Sequence, residues 1–148
     1  MRLSLYVLWG LIILLACNKD KLETKPSLKL KSISSSVVPK NGNLTFVFEY
    51  ADKEGDVSDS IFLRKIRTNL LPTKTVRDSF ALTMPSFPDR KRGTIELQLK
   101  YQEHLVSAEN PGSAPNIRND TLIFKFSLRD KAKHISDTIT TTPIVILR

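Results

Sequence analysis

From Leu28 onward, apolar and polar residues alternate with a period of two. Leu44, Phe46, Phe48 and Tyr50 are separated by Thr45, Val47 and Glu49; Ile95, Leu97, Leu99 and Tyr101 by Glu96, Gln98 and Lys100; Leu122, Phe124, Phe126 and Leu128 by Ile123, Lys125 and Ser127. Successive strand side chains point to opposite faces, so each run predicts a strand with one buried face. Val76, Phe80, Leu82 and Met84 share one phase, with Asp78 as its odd member. Shorter strands are predicted over residues 28–33 and 61–66. The last stretch, residues 138–147, is less regular and carries Pro143, which cannot donate to a ladder and marks an edge or a bulge. No helical period of comparable strength follows the first 17 residues.

Turn residues punctuate these runs. Pro39-Lys40-Asn41-Gly42 precedes the Leu44 run, and Asn-Gly is a strong hairpin signal. Pro85, Pro88 and Asp89 close one run and Gly93 opens the next, while residues 104–119 form a long loop with Pro111, Gly112 and Pro115. About seven short antiparallel strands in one chain of this length predict a single all-β sandwich. Immunoglobulin-like or fibronectin-like topology is preferred. The Cys-Trp-Cys core of antibody domains is absent, because Trp9 precedes the domain.

The chain has 148 residues and a formal net charge of +8. Basic proteins meet phosphate-rich partners, and Arg64-Lys65-Arg67 and Arg90-Lys91-Arg92 are the densest clusters. Both read first as solvated loops and strand ends.

The N-terminus adds an address. An apolar run from Leu3 to Ala16, with Arg2 as the one charge before it, ends in Leu14-Leu15-Ala16-Cys17, the sole cysteine. The run is shorter than the roughly 20 residues that cross a bilayer, and one cysteine excludes an internal disulfide. The segment resembles a bacterial lipoprotein signal peptide with its lipobox. That resemblance implies that residues 1–16 are removed, that the Cys17 thiol is acylated, and that residues 17–27 tether a domain at 28–148. Leu15 departs from the pattern, which more often has a smaller residue there. Asn18, in place of the Asp that retains such proteins at the inner membrane, implies the outer membrane. Lys19-Asp20-Lys21 faintly resembles the export signals of Bacteroidota surface lipoproteins. In that location nucleic acid is a poor partner, and lipopolysaccharide or acidic glycans fit the charge better.

Two stretches of the domain are also familiar. Residues 130–136, Asp-Lys-Ala-Lys-His-Ile-Ser, resemble the last hairpin of many bacterial immunoglobulin-like domains, with Lys133 and His134 where that hairpin has Gly and Asn. Residues 50–59 resemble the Asp-rich turn of exported bacterial sandwich domains, some of which bind calcium. Ca²⁺ takes six to eight oxygens, and Asp52, Glu54, Asp56 and Asp59 could supply several. EF-hand spacing is not met: Gly55 precedes the third acidic residue, and Lys53 adds a positive charge. An acidic, glycine-containing turn is common without a metal, and that plainer reading stands first.

Catalytic chemistry is sparse. The two histidines, His104 and His134, fall in predicted loops, and no nucleophile elbow, zinc-helix motif or phosphate-cradling loop appears. Asp59-Ser60, Asp120-Thr121 and Asp137-Thr138 are each followed by an aliphatic residue. They resemble the O-glycosylation acceptor of exported Bacteroidota proteins, making Ser60, Thr121 and Thr138 candidates. Strand-entry chemistry explains the same pattern and is preferred. The expectation is therefore a non-enzymatic, lipid-anchored envelope protein with a binding or structural role, accessory to an outer-membrane or cell-surface complex. A calcium-dependent or glycan-binding module is the alternative, and a small hydrolase a more remote one.

Overall fold

The computed structural model describes residues 22–69, 77–106 and 119–148. The expected signal segment, Cys17, the expected tether up to residue 21 and Val76 lie outside these residues. Nine strands are described: β1 (Ser27–Ile33), β2 (Val37–Val38), β3 (Asn43–Ala51), β4 (Ser60–Arg67), β5 (Arg77–Thr83), β6 (Arg92–Lys100), β7 (Asp120–Arg129), β8 (Ile139–Thr140) and β9 (Ile144–Ile146). They form a three-stranded sheet, β1-β3-β6, and a larger sheet, β2-β9-β7-β4-β5, with β8 also on β7.

The alternating runs form the long strands and supply the core. Leu44, Phe46 and Phe48 of β3 and Phe124 and Leu128 of β7 have no exposed surface. Their rings join the two sheets: Phe46 lies 5.3 Å from Phe124 and 4.8 Å from Phe126, and Phe48 lies 4.9 Å from Phe126. Tilted and edge-to-face rings at these distances pack favourably beyond their buried area. The molecule is thus an all-β sandwich with an aromatic centre.

Several expectations change in detail. Nine strands replace about seven, because Val37–Val38 adds a short strand and the stretch around Pro143 is split into β8 and β9. Pairing is not wholly antiparallel, since β2 runs parallel to β9. The Pro39–Gly42 turn exists, with Asn41 at φ 62° and the Gly42 N–H donating to Pro39 O at 2.9 Å. It makes no hairpin: β2 belongs to the larger sheet and β3 to the smaller, so the turn crosses between layers. Tyr101 leaves the β6 run and opens a π-helical turn, Tyr101–Leu105.

The Arg64-Lys65-Arg67 cluster is not a solvated strand end. Arg64 is exposed, but Lys65 and Arg67 are only 4% and 3% exposed, in the inward phase of β4 with Ile61 and Leu63. Lys65 Nζ meets Asp78 at 3.1 Å, its direct cross-strand partner on β5. The domain's contacts also begin before the expected boundary. Lys53 N–H donates to Glu23 O, Pro26 is buried, and Ser27 already pairs with Ala51.

Candidate functional site

Three connections meet at one end of the sandwich: β3–β4 (52–59), β5–β6 (84–91) and the turn after β7 (130–138). Asp52 continues the inward phase of β3 one step past Tyr50 and has no exposed surface. Its Oδ2 accepts the N–H groups of Gly55 at 2.6 Å and Asp56 at 3.3 Å, a side-chain turn of the kind Asp favours. Gly55 has φ +83°, and a Cβ there would lie 2.8 Å from the Arg90 carbonyl carbon. The close approach is fixed on both sides: Arg90 N–H donates to Gly55 O, and Asp52 N–H to Lys91 O, each at 2.9 Å.

The turn after β7 is organised by Asp130, which is 1% exposed. Its Oδ1 accepts the His134 N–H at 2.7 Å and its Oδ2 accepts the His134 Nδ1–H at 2.9 Å. Lys133 takes the left-handed conformation at φ 75° that Gly or Asn would fill more readily, and its N–H donates to Asp130 O. This turn is joined to the acidic one through Lys131 N–H donating to Asp56 O at 2.9 Å. Carboxylate oxygens of Asp52, Asp56 and Asp130 consequently lie within 4.8 Å of one another. Asp52 Oδ1 and Asp56 Oδ1 are buried and have no hydrogen-bond partner among the described residues. Burial, outweighing the two backbone hydrogen bonds, raises the Asp52 carboxyl above its ordinary pKa; the charges of Asp56 and Glu54 push it the same way.

Of the four carboxylates named from sequence, the structure gathers Asp52 and Asp56 and adds Asp130. Glu54 is exposed and stands outside the cluster. Asp59 is engaged elsewhere: Arg129 Nε reaches its Oδ2 at 2.5 Å and Lys133 Nζ at 3.1 Å. These partners, Arg129 first, hold its carboxyl below the usual range. Asp130 was visible in sequence only as part of a fold resemblance. The overlooked signal is its phase, one step beyond Leu128 on the buried face of β7.

The remaining candidates separate by exposure. Ser60 is buried at the start of β4, Thr121 is half-buried in β7, and Thr138 is exposed. His104 Nδ1 accepts the Lys100 N–H at 3.0 Å, and its ring lies 5.8 Å from Phe80. His134 does meet a carboxylate, but as the internal brace of an exposed turn. Among the described residues, the histidine hydrogen bonds go to Lys100 and Asp130 and not to a hydroxyl nucleophile.

The opposite end brings together Asp120, Arg67 and Arg148, a cluster that the sequence does not group. Asp120, with no exposed surface, receives Arg148 Nε at 3.0 Å and Nη2 at 2.6 Å. Arg67 Nε lies 2.8 Å from Asp120 Oδ1 without hydrogen-bond alignment and donates instead to Asn69 Oδ1 at 3.1 Å. The loop of residues 104–119 starts and returns at this end, as Tyr101 OH donates to Leu147 O at 2.6 Å. Its residues 107–118 lie outside those described. The described ends of that loop and the 52–59 turn therefore lie at opposite ends of the sandwich, separated by the length of β3, about 27 Å at strand rise.

No family model matches the chain, and no curated protein does. Among solved structures, Spo0M, the sporulation control protein of Bacillus subtilis, matches with a TM-score of 0.47 and 12% identity, over 84% of this chain and 50% of that one. A β-glucosidase from Listeria innocua in complex with gluconolactone matches with a TM-score of 0.38 and 12% identity, over 84% of this chain and 16% of the enzyme. The chain thus spans half or less of the length of these neighbours. No helix among the described residues is long and apolar enough to cross a membrane.

Proposed function

We propose that this chain is a lipid-anchored exported protein whose single sandwich, of an immunoglobulin-like kind, has a binding or structural role as an accessory of an outer-membrane or cell-surface complex. Cys17, at the end of the lipobox-like run, is the acylated residue in this reading. The observation that carries it furthest is where the chain joins the domain. Glu23 is held by Lys53, and Lys25 pairs with Asp137 at 2.5 Å. The segment from Cys17 to Glu23 therefore reaches at most about 20 Å.

The end bearing 52–59 and 130–138 then faces the membrane. It carries the exposed Lys53, Lys91, Lys131 and Lys133, which suit phosphate-bearing headgroups. The Arg67–Asp120–Arg148 end, where the 104–119 loop begins and ends, faces outward and is the contact surface for an envelope partner. Thr138 is the exposed member of the three glycan candidates and the one this reading retains.

The test labels cells with a fatty-acid analogue and compares the native chain with Cys17→Ala. Label and membrane retention both disappear in the variant if Cys17 carries the lipid. Unchanged labelling removes the anchor. Recovery of the native lipoprotein from membranes without any co-purifying envelope component removes the accessory role.

A further inference from the structure

We infer that Asp52, Asp56 and Asp130 bind one hard divalent cation of the calcium class, which clasps the β3–β4 connection to the turn after β7. Going beyond the anchoring proposal, this inference holds whether or not Cys17 is lipidated. Carboxylates clustered on a surface need no ion, because water solvates them. These differ. Asp52 and Asp130 are 0% and 1% exposed. Asp52 Oδ1, together with Asp56 Oδ1, is buried with no hydrogen-bond partner among the described residues. A buried carboxylate oxygen left unpaired carries a desolvation cost that a partner must offset.

The cations of the turn do not fill that place. Lys131 Nζ goes to Asp89 at 2.8 Å, and Arg129 and Lys133 go to Asp59. His134 donates one bond to each oxygen of Asp130, which leaves a further lone pair on both.

An all-oxygen donor set selects a hard ion over zinc or copper. Two oxygens on one ion can be no farther apart than twice the metal–oxygen distance, about 5.2 Å for Ca²⁺ and about 4.2 Å for Mg²⁺. The three carboxylates, within 4.8 Å of one another, fall inside the calcium limit as they stand. Backbone carbonyls and water would complete the six to eight ligands that Ca²⁺ takes.

The test uses the full chain in detergent, stripped with a chelator and titrated with CaCl₂ near pH 7 by calorimetry and thermal melting, with MgCl₂ as a second arm. A one-site heat is expected, with a melting temperature raised by roughly 10 °C at a hundredfold excess over Kd and a weaker response to Mg²⁺. Asp56→Asn and Asp130→Asn should each weaken Ca²⁺ binding at least about tenfold, while Glu54→Gln leaves it unchanged. Asp130 also holds its turn, so Asp56→Asn decides if Asp130→Asn does not fold. The absence of both a binding heat and a melting shift at millimolar Ca²⁺ overturns the site. So does full binding by Asp56→Asn, or a loss in Glu54→Gln as large as in Asp56→Asn.

Discussion

The two ends of the sandwich both bury carboxylates, and they treat them differently. At one end Asp120 lies between two guanidinium groups, Arg67 and Arg148, with Arg148 donating two bonds to one oxygen. At the other end Asp52, Asp56 and Asp130 converge while the local cations pair with Asp59 and Asp89. The first cluster is matched in charge by the chain's own guanidinium groups, although Asp120 Oδ1 and Arg67 Nη2 make no hydrogen bond among the described residues. The second is organised by backbone N–H groups and His134, and it leaves oxygen lone pairs unmatched. Charge matching from within makes a structural clamp, whereas an excess of one sign in a buried place makes a receptor for a counter-ion.

The sharpest way to break this contrast is at the clamp. Asp120→Asn keeps the shape of the side chain and leaves the buried Arg67 and the largely buried Arg148 without their carboxylate. Breaking a buried pair by removing one partner costs about 3–5 kcal/mol. Urea unfolding monitored by circular dichroism should show a loss of that size. A loss below about 1 kcal/mol would mean that solvent reaches the cluster and that the two ends are alike.

At the acidic end the corresponding lesion is in the backbone. Gly55→Ala places a Cβ at a positive φ and against the Arg90 carbonyl. Strain of this kind costs about 1–3 kcal/mol, and the new atom also pushes the 90–91 strand entry away. Hydrogen exchange should locate the damage: the Arg90 and Lys131 amides lose protection, while the Thr68 amide bonded to Thr121 O keeps it. Equal loss at both ends would show that the sandwich transmits the strain.

The strands and the central core were legible because Leu44–Tyr50 and Leu122–Leu128 alternate over several steps, and a period of two has one physical interpretation. The buried charges were not. Each continues the inward phase of an apolar strand: Asp52 after Tyr50, Asp130 after Leu128, Asp120 before Leu122, and Lys65 and Arg67 after Leu63. Charged residues in those places read as the points where strands meet solvent. Only register distinguishes a strand end from a buried pair, and register is tertiary: Lys65 faces Asp78, and Arg67 faces Leu122 beside Asp120. For the same reason the sequence grouped Glu54 and Asp59 with Asp52 by proximity along the chain. Asp130, 78 residues away in sequence from Asp52, arrives through the pairing of β7 with β4.

Asp52→Asn makes the comparison a matter of sign. Its amide oxygen still accepts the Gly55 and Asp56 N–H groups, and one of three converging negative charges is gone. With a chelator present, stability should stay within about 1 kcal/mol of the parent or rise above it, in contrast to Asp120→Asn. With Ca²⁺ present, the variant should lack the stabilisation that the parent gains. A large loss in chelator would mean that Asp52 is already matched within the protein and that the acidic end is a second clamp.

The smallest effect is expected at Asp59, the carboxylate beside the cluster whose charge is matched. Arg129 and Lys133 hold its pKa below the ordinary 3.8. Between the unfolded value, about 3.9, and the lower folded value, the unfolded chain binds the extra proton, so stability rises with pH across that window. The contribution is complete above the unfolded pKa and is lost as pH falls through the folded one. Asp59→Asn should therefore flatten the dependence of the urea midpoint on pH between 5 and 2 relative to the parent. Because Lys133 is exposed, molar salt should shrink the difference. Ca²⁺ affinity should be unaltered, since Asp59 directs its charge to Arg129 and Lys133. A pH profile identical to the parent's would show that solvent already screens the pair, whereas a loss of Ca²⁺ binding would enlarge the cation site and erase the line between matched and unmatched carboxylates at this end.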